Sequence, residues 1–156
     1  KYQKIRSAAV MDKVFDCPHR HGVFTVSDPL REYFLKDDFF EELFGAVNDT
    51  LSFVIRKAGT KKDELIPCAV LTLTHLVEIN WIPHIHVLLA KGGVRKDGFL
   101  NAGSTSITNL FAAPFKDHFS IVYRKIDTIE FKQLKRKLYK DYSKGFDSDW
   151  VKSLTK

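Results

Sequence analysis

Apolar residues along the chain change spacing several times, and each change predicts an element. Residues 21–26, His-Gly-Val-Phe-Thr-Val, are rich in β-branched and aromatic side chains and predict a first strand. Asp28-Pro29 then reads as an N-cap with proline at the first helical position. A new helix start falls near Asp37-Asp38. From there Phe40, Leu43, Phe44, Val47, Leu51, Val54 and Ile55 recur at three- and four-residue spacing, the stripe of an amphipathic helix that ends before the AGTKKDE turn.

Residues 67–76 and 84–90, PCAVLTLTHL and HIHVLLA, predict two strands joined as a hairpin by the intervening segment. Gly92-Gly93 predicts a sharp turn toward a short strand near Val94. Residues 97–117 carry no periodicity, and 118–126, HFSIVYRKI, predict another strand. Asp127-Thr128-Ile129-Glu130 resembles a capping box opening a last helix, on which Phe131, Leu134, Leu138 and Tyr142 form one stripe. Strands and helices in this order predict a single α+β domain over residues 1–156, with a largely antiparallel central sheet flanked by helices.

Composition narrows the class. With 156 residues and 44% hydrophobic content the chain can bury a real core, and no apolar run approaches the roughly 18–20 residues of a membrane span. A soluble protein with no membrane partner is expected. Cys17 and Cys68 form no CxxC pair, which suits free thiols in a reducing, intracellular compartment. The net charge of +6 is uneven: residues 1–90 hold 11 Lys/Arg against 12 Asp/Glu, residues 91–156 hold 14 against 7. A basic half suits a surface facing phosphates, and equally a solvated lysine-rich helix face.

His84-Ile85-His86 is the most informative tripeptide. Side chains at i and i+2 of a strand share a face, about 7 Å apart along the chain, so two imidazoles can converge on one metal ion while Ile85 anchors the other face. A metal needs at least one further ligand. If the hairpin turn centres between Ile79 and Asn80, His75 stands directly opposite His84 and supplies a third imidazole. His21, on the first strand, is the second candidate. His19 and His118 have no such partner and are expected on the surface.

These residues resemble a family. PHIHVLLAKGG matches the His–hydrophobic–His strand and Gly-Gly segment of the two-tyrosine HUH insertion-sequence transposases, and CPHRHGVFTVSDPLREYF follows their "rHxVFT" strand and "Lr..f" helix. FKQLKRKLY is similar to their "LRk.fr..l" segment, so the likeness runs in order over roughly residues 15–140. The resemblance implies an HUH endonuclease palm of the Rep/relaxase type in a bacterial cytoplasmic protein. It implies a divalent metal, Mg²⁺ or Mn²⁺, held by His84 and His86 with His75 or His21. The reaction implied is nicking and strand transfer of single-stranded or hairpin DNA through a tyrosine–phosphodiester link. All-imidazole ligation favours Mn²⁺ over Mg²⁺.

Two departures from the pattern matter. The family's "LHTFG" strand is LTLTHLV here, with Leu73 where the family has histidine and His75 two residues later. The family's Tyr-x-x-x-Tyr pair and its cysteine-rich upstream segment have no counterpart, so an internal fragment or a decayed relative is expected. Tyr139 and Tyr142 are the closest pair of tyrosines. Tyr142 lies on the apolar stripe and Tyr139 at its flank, which makes Tyr139 the better candidate nucleophile. Lys132, Lys135, Arg136, Lys137 and Lys140 are candidate DNA contacts, with Trp81 or Phe99 as platforms for base stacking. A non-catalytic DNA-binding fragment and a zinc-binding α+β module are the alternatives.

Overall fold

The first strand, β1, spans His19–Thr25 and feeds a 3-10 turn, Asp28–Leu30, that runs into helix α1, Arg31–Lys36. Helix α2 follows at Phe40–Ala58, then strands β2 (Ile66–Thr74), β3 (His84–Arg95) and β4 (Gly98–Asn101), helix α3 (Ile129–Asp141) and strand β5 (Ser148–Leu154). This computed structural model describes residues 12, 14–36, 39–58, 65–74, 81–101, 115, 126, 128–143 and 148–154. The expected strand at 118–126 therefore lies outside the described residues, apart from Ile126, as do Asp37-Asp38.

Every pairing among these strands is antiparallel, in the order β2-β3-β1-β5, and β4 pairs the far half of β3. Together with three helices this is an open-sheet α+β architecture. β3 is the longest of the described strands at 12 residues. One of its edges carries β2, and the other carries β1 and then β4. β1 is held on both sides as well, by β3 and β5.

Alternation along these strands separates two faces. Phe24, Ile85, Val87 and Leu89 are at most 1% exposed and share one buried cluster with the α2 stripe of Leu43, Val47, Leu51, Val54 and Ile55. Phe131 and Leu138 of α3 join the same cluster, and Phe115 packs edge-on against Phe24 at 4.8 Å. Inside α2 the one buried polar side chain, Thr50, donates its hydroxyl proton to the Ala46 carbonyl at 2.6 Å and so carries no unmet hydrogen bond. Glu41 and Glu42 in the first turn and Arg56 and Lys57 in the last suit the helix dipole. Among the described residues no helix is long and apolar enough to cross a membrane.

Four local expectations are corrected. The cap before the first helical turn is Ser27 rather than Asp28, and Asp28 instead pairs with Arg31. The cap of α3 is Thr128, whose hydroxyl accepts from the Phe131 N–H at 3.2 Å; Glu130 then falls one position short of completing a capping box. Gly92 and Gly93 make no turn: both lie in the β3 ladder, paired with Asn101 and Leu100. The chain reverses instead at Lys96-Asp97, where the Arg95 guanidinium grips the Asp97 carboxylate at 2.9 and 2.7 Å and Gly98 takes a φ of 128°.

Gly93 has a different job. A Cβ there would sit 2.8 Å from the Ile66 carbonyl oxygen, so the bare backbone lets β2 close against β3 beside the bulge at Pro67–Ala69. The fourth correction is the hairpin register. Thr74 stands opposite His84, Leu73 opposite Ile85 and Thr72 opposite His86. The pairing is one residue away from the one that would set His75 against His84, and His75 itself lies outside the described residues.

Gly93→Ala is expected to destabilise the protein by about 1–3 kcal/mol, through displacement of β2 backbone that cannot yield like a side chain. Gly45→Ala, in α2 with nothing within 4 Å of the added methyl, is expected to raise stability by roughly 0.5–1 kcal/mol. Urea unfolding of the two variants against the parent measures both, and opposite signs are the expected result.

Candidate functional site

The face of the sheet turned away from the buried cluster carries short rows of paired residues. Thr74, His84 and Thr25 make one row across β2, β3 and β1. Thr72, His86 and Val23 make the next, and Val70, Leu88 and His21 the third. Period-two alternation puts all of them on one face because Phe24, Ile85 and Val87 take the other. His84, His86 and His21 are all half-buried.

The three imidazoles are neighbours. His21 Nε2 lies 2.9 Å from His86 Nδ1, with the rings stacked at 5.1 Å and 11°. His84 stands edge-on to His86 at 4.9 Å. His84 Nδ1 is 2.7 Å from the Ile82 carbonyl oxygen. A carbonyl only accepts, so Nδ1 carries a proton, and whenever the ring is neutral Nε2 is the bare nitrogen. The backbone supplying that carbonyl is itself tied down, since the Val26 N–H donates to the Pro83 oxygen at 3.1 Å. Burial first, and then the neighbouring His84 and His21, lower the pKa of His86 below the ordinary histidine value. At neutral pH it is an uncharged base.

This donor set fits a divalent cation chemically. His21 Nε2 and His86 Nδ1 face each other at hydrogen-bond distance, 2.9 Å, so one of these two rings would have to turn before both lone pairs met a single ion. Neutral imidazoles suit Mn²⁺ or zinc better than Mg²⁺. No group of three or more His, Cys, Asp or Glu side chains among the described residues is arranged to hold a metal as they stand. His84 would have to turn its Nε2 toward the other two rings.

The remaining candidates belong to other parts of the chain than the strand segments that carry the three histidines. Tyr139 and Tyr142 are half-buried and pack against the core cluster, the cluster built on Phe24, Ile85 and Val87. Lys132, Arg136, Lys137 and Lys140 are placed on α3, and the helix carries Lys135 half-buried. Trp81 packs edge-on against Phe40 at the start of α2, at 6.3 Å, and Phe99 stacks on Phe15 at 4.6 Å. His19 is not a surface residue but 8% exposed, lining an apolar cleft with Phe15, Cys68, Leu88 and Ala90. His118 lies outside the described residues.

Sequence reasoning missed the threonines that flank the histidines, because the register that places them was off by one residue. It also missed β5. The run Trp150-Val151 was the available signal, too short to show alternation. Comparison with protein-family models, with characterised proteins and with solved structures finds no match to this chain.

The lowered His86 pKa has a readable consequence. In an NMR titration His86 takes up its proton below the ordinary histidine range, and His84→Gln moves that midpoint upward by removing the neighbouring charge. Folded His86 binds its proton less tightly than the unfolded chain does. Its contribution to stability is therefore present above the ordinary histidine value and is lost as pH falls through the lowered one.

Proposed function

We propose that this chain is an HUH-type domain that nicks and rejoins single-stranded DNA with a divalent metal, Mn²⁺ or Mg²⁺, in a bacterial cytoplasmic transposition reaction. The observation that carries this reading is the pairing of the His-Ile-His strand with His21, at 2.9 Å, on one open face of an antiparallel sheet. The resemblance of residues 15–140 to two-tyrosine transposases supplies the chemistry, and the basic balance of residues 91–156 suits a phosphate-bearing partner.

His84, His86 and His21 are the residues that would hold the metal. When bound, it supplies Lewis-acid polarisation of a non-bridging phosphate oxygen. The chain's own groups do the rest. His86, kept neutral by burial and by its neighbours, offers a lone pair instead of a repelling charge. The Ile82 carbonyl fixes the tautomer of His84. Thr72 and Thr74, beside the histidines, provide hydroxyls able to donate to a phosphate oxygen. In the nicking step a tyrosine oxygen bonds to phosphorus and loses its proton, the bond to the 3′-oxygen breaks, and that oxygen leaves as a protonated hydroxyl. A 5′-phosphotyrosine keeps the bond energy for rejoining.

A second reading rests on the tyrosines. Because Tyr139 and Tyr142 both pack against the core, a DNA-binding domain that uses neither as nucleophile is the alternative.

Incubation with end-labelled single-stranded DNA and Mn²⁺ tests both. A covalent adduct that disappears in Tyr139→Phe, and that falls at least a hundredfold in His86→Ala, is the expected result. Binding without an adduct supports the second reading, and failure to bind at low salt sinks both. If α3 faces the DNA backbone, changing Arg136, Lys137 and Lys140 to Gln lowers the salt dependence of binding. The log–log slope then falls by about one unit for each phosphate no longer neutralised.

A further inference from the structure

Beyond the row of His21 the open face changes character. The next row sets His19 opposite Ala90, and β2 passes there through its register shift from Pro67 to Ala69, with Cys68 between. Ala90 is a small side chain between larger neighbours, and the face sinks at this point into a cleft of about 240 Å³. Phe15, Val70, Leu88 and Ala90 supply its apolar walls. The Phe15 ring is stacked on Phe99 at 4.6 Å and 19°, and the Cys17 N–H donates to the Phe15 carbonyl at 2.9 Å, so this wall is held in place. Phe15 and Val70 are nonetheless 41% and 36% exposed, large apolar side chains left open beside the cleft they line.

The polar group of the cleft is His19. It is only 8% exposed, and among the described residues its side chain takes no hydrogen bond. Buried polar groups of folded proteins are nearly always hydrogen-bonded. An unpartnered imidazole that lines an apolar cleft is therefore available to whatever enters it. The volume lies below the roughly 300–1,000 Å³ of sites for drug-sized ligands, so the cleft admits one small ring system. Apolar walls suit the faces of a flat ring and an imidazole suits a polar edge, the combination that a nucleobase presents. Same-face neighbours on a strand are about 7 Å apart, which sets His19 one step from His21. A base seated there is within a nucleotide's reach of a phosphate on the histidine rows.

We propose that this cleft takes one splayed base of single-stranded DNA, packed among Phe15, Val70 and Leu88, with His19 hydrogen-bonding its edge. The choice of a DNA base over other small rings rests on the proposed action on single-stranded DNA; the cleft, its size and the unpartnered His19 do not. His19 is then a specificity-determining residue, because the four bases present different donors and acceptors to it.

The test reads Cys68, which lines the cleft. Burial pushes its thiol pKa up, so alkylation of the full chain by iodoacetamide is followed at alkaline pH and mapped by peptide mass spectrometry. At least one of the four deoxynucleosides is expected to slow modification of Cys68 roughly tenfold, and deoxyribose alone to leave it unchanged. The best and worst of the four are expected to differ about three- to tenfold in the concentration that shields, the worth of one hydrogen bond. In His19→Phe, which keeps a flat ring, all four should shield alike. Thermal melts establish that this variant is folded; should it not fold, shielding and base preference in the parent still decide. Absence of shielding by every deoxynucleoside overturns the proposal, as does a base preference that survives in folded His19→Phe. Equal shielding by hexanol assigns the cleft to an aliphatic ligand and overturns it too. Nicking is scored separately with Mn²⁺ and labelled DNA. An adduct formed by a chain whose Cys68 no deoxynucleoside shields sinks the cleft and leaves nicking standing. Base-selective shielding without an adduct supports the cleft and sinks the nicking reading.

Discussion

The arrangement depends on one constraint, the two-residue alternation of β3 held in register from both edges. Ile85, Val87 and Leu89 are driven into the core by their burial, and each fully buried aliphatic side chain contributes about 1.5–3 kcal/mol relative to exposure. His84 and His86 have no choice of face once those three are committed. A slip of one residue would bury both imidazoles and expose three aliphatic side chains, which makes the wrong register costly by several kcal/mol. The histidine face is thus a by-product of core formation. It is pre-formed by forces that have nothing to do with any ligand.

The second strand to matter is β1, and its position inside the sheet follows from order of pairing rather than from sequence proximity. His21 and His86 are 65 residues apart, yet β1 fills the edge of β3 left open by β2, with β5 on its outer side. Interior strands have both hydrogen-bonding edges satisfied and fluctuate least, so the two closest imidazoles sit on the stiffest part of the sheet. His84, one row further along, is at the start of its strand and is steadied instead by the Ile82 carbonyl and the Val26–Pro83 hydrogen bond.

Much of this was legible from the residues alone, and what was not has identifiable causes. The α2 stripe, β1 and the His-x-His strand were readable because burial imposes a period on local sequence. The register of β2 against β3 was not, since assuming a turn centre between Ile79 and Asn80 shifts every pair if the true centre lies half a residue away. That small shift exchanged His75 for Thr74 opposite His84. Gly92-Gly93 misled for a different reason. A glycine doublet signals positive φ in most contexts, but here Gly93 is needed because the Ile66 carbonyl leaves no room for a Cβ. Strand β5 offered only the short run Trp150-Val151 to read, and its place beside β1 is a non-local pairing.

The tyrosines show where legibility of fold and of activity part. On the helix wheel Tyr139 fell beside the basic positions and Tyr142 on the apolar stripe; folded, both are half-buried against the core. A nucleophile needs its hydroxyl within about 3 Å of the phosphate that the histidines would address. The histidines occupy the face opposite the cluster on which both tyrosines pack. If the chain nicks DNA as proposed, either α3 presents Tyr139 past the edge of the sheet or the attacking hydroxyl belongs to another residue. The histidine face and the tyrosines are therefore positioned independently in this chain. The first is fixed by strand register, whereas the second depends on a helix whose buried residues, Phe131 and Leu138, anchor it to the other side.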